Sequence, residues 1–266
     1  MKGQPLIGRI VIDDVHPRTP TGDYPTKAVT GEAVRVSADI FKDGHDILAA
    51  RVRWGPALGR QPASNQMAGW SDAALHEVGN DRWEAAARPS TTGLHHLVIE
   101  AWTDRWATWR HDVSAKLAAG EEVDMELAEG ALLLEDRARR ADRGTQGQLA
   151  DAARALRAPG NPTARLTRAF DHRIATLMGG PDGAPDLTAT ANLALWVDRP
   201  RALFGSWYEM FPRSEGGLAG AAQRLAGMAE MGFDVVYLPP IHPIGTTARK
   251  GANATLVAGP EDPGSP

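Results

Sequence analysis

At 266 residues, with 42% hydrophobic and 23% charged side chains, the chain has the composition of a globular protein with room for two or three domains. Its 29 Lys+Arg against 33 Asp+Glu leave a net charge of −4, which provides neither the basic footprint of a nucleic-acid binder nor a polybasic membrane patch. Cysteine is absent, so disulfides, thiolate catalysis and cysteine-built zinc sites are excluded.

In chain order, the stretch Met1 to Pro17 is polar and proline-bearing where a signal peptide needs an unbroken apolar run, so the expected setting is cytoplasmic. No membrane span is expected either. Residues 1–112 read as short strands and turns. Val34, Val36, Ala38 and Ile40 alternate with Arg35, Ser37 and Asp39, the period of two that gives a strand one core face and one wet face. Turns follow at Lys42-Asp43-Gly44, Gly79-Asn80-Asp81 and Thr103-Asp104-Arg105. Short strands spaced by turns predict a β-sandwich. Six tryptophans, Trp54, Trp70, Trp83, Trp102, Trp106 and Trp109, fall in this region, and core packing is favoured over sugar stacking for them. His95 and His96 are adjacent on a strand and point to opposite faces, which argues against a shared metal.

The period changes at about Val113. Val123, Leu127, Ala131, Leu134 and Ala138 form one helical stripe, with Glu135/Arg139 and Asp136/Arg140 as i,i+4 pairs on the wet side. Leu149, Ala153 and Leu156 repeat the pattern, and Asn161-Pro162 opens a third helix carrying Leu166, Phe170, Ile174 and Leu177. Residues 113–183 are therefore expected to be a small helical bundle, closed on itself or on a partner subunit, within an insert spanning 113–190. A last sandwich strand and linker occupy 191–203. From 204 onward the pattern is strand, glycine turn, helix and strand, the unit of a parallel sheet or barrel. The helix there carries Leu218, Ala222, Leu225 and Ala229 on one face and closes at Gly232.

The most informative text is Gly205-Ser206-Trp207-Tyr208-Glu209-Met210-Phe211-Pro212-Arg213-Ser214, with Leu238-Pro239-Pro240-Ile241-His242-Pro243-Ile244-Gly245, Arg249-Lys250-Gly251 and the segment from Ala258 to Pro266. These segments resemble the opening of the α-amylase superfamily barrel and, more narrowly, the α-1,4-glucan:maltose-1-phosphate maltosyltransferases. The resemblance implies a multidomain protein: a β-sandwich with a dimerising helical insert, followed by the start of a (β/α)8 barrel over 204–266. It implies a retaining transfer of maltose from α-maltose 1-phosphate to the non-reducing end of an α-1,4-glucan, with phosphate released and no metal or organic cofactor. Lys250 is the implied donor contact, on a loop at the carboxyl end of a barrel strand, where such folds place their sites. The family's Arg-Lys-Gly-x-Asn-Asn pattern has Ala254 at its last position here. His242 either lines the same pocket or caps the strand end. The two catalytic carboxylates are expected on later barrel strands, beyond residue 266, so no residue here is assigned as catalytic and the fragment is expected to be inactive. Glu209 and Asp234, the acidic residues on the two barrel strands present, read as structural. A related hydrolase or isomerase, and a glucan-binding or dimerising module, are the competing readings.

Overall fold

The computed structural model describes residues 8–57, 69–242, 247–260 and 262, and the chain divides into two compact units, Met1–Val197 and Asp198–Pro266. The resembling segment Pro243-Ile244-Gly245 and most of the stretch after Pro260 lie outside the described residues.

The first unit opens with β1 (Ile10–His16), β2 (Thr26–Val29), β3 (Val34–Lys42), β4 (Leu48–Pro56), β5 (Ser71–Gly79), β6 (Arg82–Ala87) and β7 (Gly93–Thr103). Their hydrogen-bonded order, with the later β9 (Leu193–Asp198), is β1-β3-β6-β5-β4-β7-β9-β2. The alternation in β3 acts as its spacing predicts: Val36, Ala38 and Ile40 are buried in the core. Val36 faces Ala85 and Ala38 faces Trp83 across the antiparallel ladder to β6. The turn at Asn80-Asp81 joins β5 to β6 with both central residues at positive φ, 52° and 59°. That is the two-residue hairpin whose twist matches the flanking strands, and asparagine and aspartate tolerate it best after glycine. One apolar cluster draws on strands from both ends of this path, including Ile10, Ala28, Ile40, Val52, Leu97 and Leu195. The sheet therefore curls around a single core. Within it the Trp83 indole Nε1 donates to the Ile40 carbonyl at 3.2 Å, satisfying its one polar atom.

Five helices follow: α1 (Arg105–Ala118), α2 (Asp124–Arg140), α3 (Arg143–Arg157), α4 (Pro162–Ala169) and α5 (His172–Met178). The first of these begins well before the change of period at Val113. Asp104, expected to sit in a turn, is its amino-terminal cap, accepting from the Ala107 amide at 2.8 Å. Trp106 and Trp109 consequently leave the sheet. They lie on α1 at helical spacing with Val113, stack on each other with ring centroids 4.4 Å apart, and belong to a second core with Leu127, Leu134, Leu149 and Leu156. Trp54 and Trp83 do pack in the sheet core, whereas Trp70 lies over Gly55. The helix expected from Asn161 to Leu177 is two helices, because Asp171 caps a new one by accepting from the Arg173 amide at 2.8 Å. On α2 the Asp136–Arg140 pair forms at 2.6 Å, but Glu135 pairs with Arg157 of α3 at 2.9 Å and Arg139 turns to Asp136.

The chain returns to the sheet through β8 (Thr188–Ala189) and β9 (Leu193–Asp198), both antiparallel to β7. Asp186 fixes the return: its carboxylate accepts from the Thr103 hydroxyl at 2.5 Å and the Thr103 amide at 3.3 Å. The helices thus leave from the end of β7 and come back beside it.

The second unit contains β10 (Trp207–Glu209), α6 (Leu218–Glu230) and β11 (Val235–Tyr237). The two strands are parallel, with Trp207, Tyr208 and Glu209 opposite Val235, Val236 and Tyr237. The face of α6 that packs is not the expected one. Ala221 and Met228 are buried with Met210, while Leu218 and Leu225 are 58% and 47% exposed and Ala222 and Ala229 are exposed too. Ala221 and Met228, seven residues apart, form the face that packs on the two strands, and the leucines face outward. Gly232 follows the helix at φ 89°, the left-handed conformation expected of it.

Candidate functional site at the carboxyl ends of the parallel strands

Parallel strands joined through a helix leave their carboxyl ends, and the loops after them, on one side of the sheet, where clefts form. In the second unit a cleft of about 550 Å³ lies there, lined by residues following β10 and β11. The chain after β10 supplies Phe211, Arg213 and Ser214, and the chain after β11 supplies Pro240, Ile241 and His242. Gly216 and Gly217 complete the wall at φ 79° and 101°, and lead directly into α6. The amino-terminal end of α6 therefore borders the cleft, with Leu218 in its wall. A helix amino terminus carries unpaired amides and partial positive charge, a setting that favours an anion.

Of the residues singled out from the sequence, His242 lines this cleft. Lys250 is exposed on the loop 247–260 and is not among the lining residues. That loop is compact. Arg249 is folded back, with its guanidinium donating to the Gly259 carbonyl at 3.2 Å and its own carbonyl accepting from the Ala258 amide at 3.2 Å. Gly251 is buried and donates to the Thr255 carbonyl at 2.9 Å. A Cβ there would come within 2.8 Å of Thr255 Oγ1, the Val257 carbonyl and Asp262 Oδ2, so only glycine fits. The adjacent cations thus have different fates: Arg249 is tied into the loop and Lys250 faces solvent. Arg213 and Ser214 have no role assigned from the sequence, where their place in the segment following the first parallel strand is the available signal.

Of the two acidic residues expected on the parallel strands, Glu209 ends β10 and Asp234 lies just ahead of β11. Asp234 Oδ2 accepts from the Ser206 amide at 3.1 Å and its other oxygen pairs with Arg201 at 3.2 Å, joining the entries to β10 and β11. Glu209 is exposed. In the first unit, buried His95 contacts Thr91 Oγ1 and the Gly93 carbonyl, each at 3.2 Å, whereas His96 faces Asn192. Among the described residues no group of three or more His, Asp or Glu side chains could hold a metal ion. No helix among them is long and apolar enough to cross a membrane. A larger cavity, about 670 Å³, lies between the sheet and α1–α2, but Arg9, Lys42 and Lys116 in its wall are already paired with Asp43, Asp46 and Glu126.

A multidomain chain, with a cored β-and-helix unit ahead of a parallel βαβ unit bearing a cleft at its strand ends, is the class of protein defined by these observations. Comparison with known proteins narrows the class. Residues 8–199 match the family model described as alpha-1,4-glucan:maltose-1-phosphate maltosyltransferase, domain N/S, and the chain belongs to that family. Among its relatives are proteins named alpha-1,4-glucan:maltose-1-phosphate maltosyltransferase from Rhodospirillum rubrum, 41% identical, and Mycobacterium tuberculosis, 40% identical. A protein of Streptomyces coelicolor named alpha-1,4-glucan:maltose-1-phosphate maltosyltransferase 1 is 42% identical. The alignments cover 97–98% of this chain but only 39–41% of each relative, so the chain spans about two-fifths of their length.

Proposed function

We propose that this chain is the amino-terminal part of a cytoplasmic, retaining maltosyltransferase. The whole protein would move maltose from α-maltose 1-phosphate to the non-reducing end of a glycogen-like α-1,4-glucan and release phosphate. The observation that carries this reading is identity of about 40% running through both the N/S region and the two parallel strands to nearly the end of the chain. In this reading the strands within residues 1–104 and 188–203 form a β-sandwich with its linker, and the helices from Arg105 to Met178, beginning ahead of the expected boundary at 113, an insert that contributes to a homodimer. Residues 204–266 begin a (β/α)8 barrel. The exposed stripe of Leu218 and Leu225 on α6 supports the last point, since neighbouring barrel elements would cover it. Exposed Met125 and Leu132, seven residues apart on α2, offer the insert an apolar stripe for a second subunit.

Chemically, the start of α6 in the cleft wall favours the phosphate end of the donor, and Lys250, which does not line the cleft, is assigned by family resemblance as an ammonium with three donors for phosphate or sugar oxygens. Retention needs two carboxyl groups about 5–5.5 Å apart, one as nucleophile and one as acid and base. Glu209 and Asp234 do not supply them: one is exposed on its strand and the other is spent on Ser206 and Arg201. In this reading the 266-residue chain alone does not catalyse the transfer.

The test measures phosphate release from α-maltose 1-phosphate with glycogen, for the protein encoded by the whole reading frame and for the 266-residue chain. Release and glucan extension are expected from the first only. Free maltose without extension would make the protein a hydrolase, and release by the short chain would sink its assigned inactivity. In the whole protein, Lys250→Ala is expected to raise the donor KM by roughly tenfold or more, the loss of a hydrogen bond to a charged group. Unchanged donor kinetics would remove Lys250 from the site.

A further inference from the structure

A second cleft, of about 440 Å³ and wholly within the first unit, is lined by His16, Arg18, Thr26, Arg35, Ser37 and Arg82, with Pro17. Apart from the proline, every lining side chain is basic or carries a hydroxyl, although Asp14 pairs with His16 at 3.2 Å. The sequence does not advertise this grouping, because the residues come from the end of β1, the segment after it, and strands β2, β3 and β6.

The carboxylates that do approach these cations do so from outside the lining, and they fix the guanidinium groups in place. Arg82 donates to Asp39 at 2.9 Å and Asp14 at 2.8 Å, and its other terminal nitrogen donates to Ser37 Oγ at 2.7 Å. Ser37 itself is only 4% exposed, so its hydroxyl is a built feature of the cleft rather than a surface accident. Its oxygen accepts from Arg82, which leaves its own proton available to a ligand. Arg35 is held bidentately by Glu84, with Nε to Oε2 at 3.0 Å. Arg18 differs from both. Among the described residues no carboxylate pairs with it, yet its guanidinium is not loose: it lies against Gly22, where an added Cβ would fall 2.5–2.9 Å from it. Gly22 has φ 76°, so a side chain there would be strained as well as obstructive. The cleft therefore presents one guanidinium with no carboxylate partner among the described residues, two whose charge is matched by Glu84 and by Asp14 and Asp39, and the Ser37 hydroxyl, while the Thr26 hydroxyl donates to the Ala194 carbonyl at 3.4 Å.

We propose that this cleft binds a phosphate group, free or on a small sugar ester, at a site separate from the cleft of the second unit. The fork of Arg18 matches two phosphate oxygens, and Arg35 and Arg82, whose forks are engaged by Glu84 and by Asp14, Asp39 and Ser37, contribute only their remaining N–H groups from fixed positions. The volume falls in the range of small-ligand sites and exceeds what a lone ion needs. Nothing in this proposal depends on the transfer reaction proposed above, because the ligand is recognised by its phosphate and the groups that hold it lie in another unit.

The experiment is an amide chemical-shift titration of the 266-residue chain with inorganic phosphate and, separately, with glucose 1-phosphate, at low ionic strength. Saturable shifts centred on residues 16–18, 35–37 and 82 are expected, weakened by added salt. In Arg18→Ala the affinity should fall about tenfold or more, in Arg18→Lys by less, and in Lys250→Ala not at all. Tighter binding of the ester identifies a sugar phosphate as the ligand, and equal binding identifies the phosphate group alone; either result supports the site. Because Arg18 is exposed, its removal leaves the fold intact, which an unchanged spectrum away from the cleft would verify. Absence of saturation, shifts centred elsewhere, or equal affinity in Arg18→Ala would overturn the proposal.

Discussion

Gly130 lies in the interior of α2, where glycine costs about 1 kcal/mol relative to alanine, so propensity alone favours replacing it. Packing reverses that preference. A Cβ at this position would sit 2.2 Å from the Trp109 ring. The ring has no room to retreat: it stacks on Trp106, meets Phe170 edge-on at 6.1 Å, and its indole nitrogen donates to the Glu126 carbonyl at 2.6 Å. Gly130→Ala is therefore expected to destabilise the chain by about 1–3 kcal/mol, the usual cost of overpacking a core, as measured by urea unfolding. A raised midpoint would show that Trp109 is not held as described. The same reasoning explains why individual site residues were only partly legible in the sequence. The motif alone left His242 between lining the pocket and capping the strand end, and its place in the cleft lining depends on the fold. The contrast between a tied Arg249 and an outward Lys250 could not be read either, because it depends on Gly251 packing against Val257 and Asp262, contacts that no local pattern encodes.

Among the elements, those set by local chemistry were legible and those set by partners were not. The alternation of β3 and the Asn80-Asp81 hairpin follow from period and turn preference, and both appear where expected. Strands as short as β2 and β8 exist only because the sheet supplies a neighbour, and neither has a pattern of its own to read. The start of α1 was missed for a different reason. Aspartate serves both turns and helix caps, and Thr103-Asp104-Arg105 satisfies either until the spacing of Trp106, Trp109 and Val113 is taken as helical. On α6 the residues buried against the two strands are Ala221 and Met228, so the stripe of Leu218 and Leu225 read from the sequence is a second, exposed face. The cap at α1 carries a prediction. Asp104→Ala removes the acceptor for the Ala107 amide and should cost about 1 kcal/mol, whereas Asp104→Ser should restore most of it. A loss of the same size in both variants, read from thermal or urea unfolding, would show that the side chain matters for something other than capping.

Across the whole chain, the two units differ in how much apolar surface they seal. The first has two clusters, one inside the curled sheet and one among the five helices, and the Thr103–Asp186 contacts fasten the returning chain beside β7. The family match at 8–199 coincides closely with this unit, as expected of a segment whose core is complete in itself. In the second unit, by contrast, the cluster among the described residues is Met210, Ala221 and Met228, with Tyr208, Val236 and Leu238 partly buried against it. Burial stabilises roughly in proportion to apolar area removed from water, so opening the strand pair β10–β11 should need far less free energy than opening the first unit. Native-state hydrogen exchange on the 266-residue chain would measure this. Amides at Val36, Ile99 and Leu134 are expected to exchange only through global unfolding, and those at Tyr208 and Val236 through a local opening several kcal/mol cheaper. In the whole reading frame, the proposed barrel would cover Leu218 and Leu225, and protection at Tyr208 and Val236 should then rise. Equal protection of both strand sets in the short chain would mean that its second unit unfolds with the first, so that its stability does not rest on those three buried side chains.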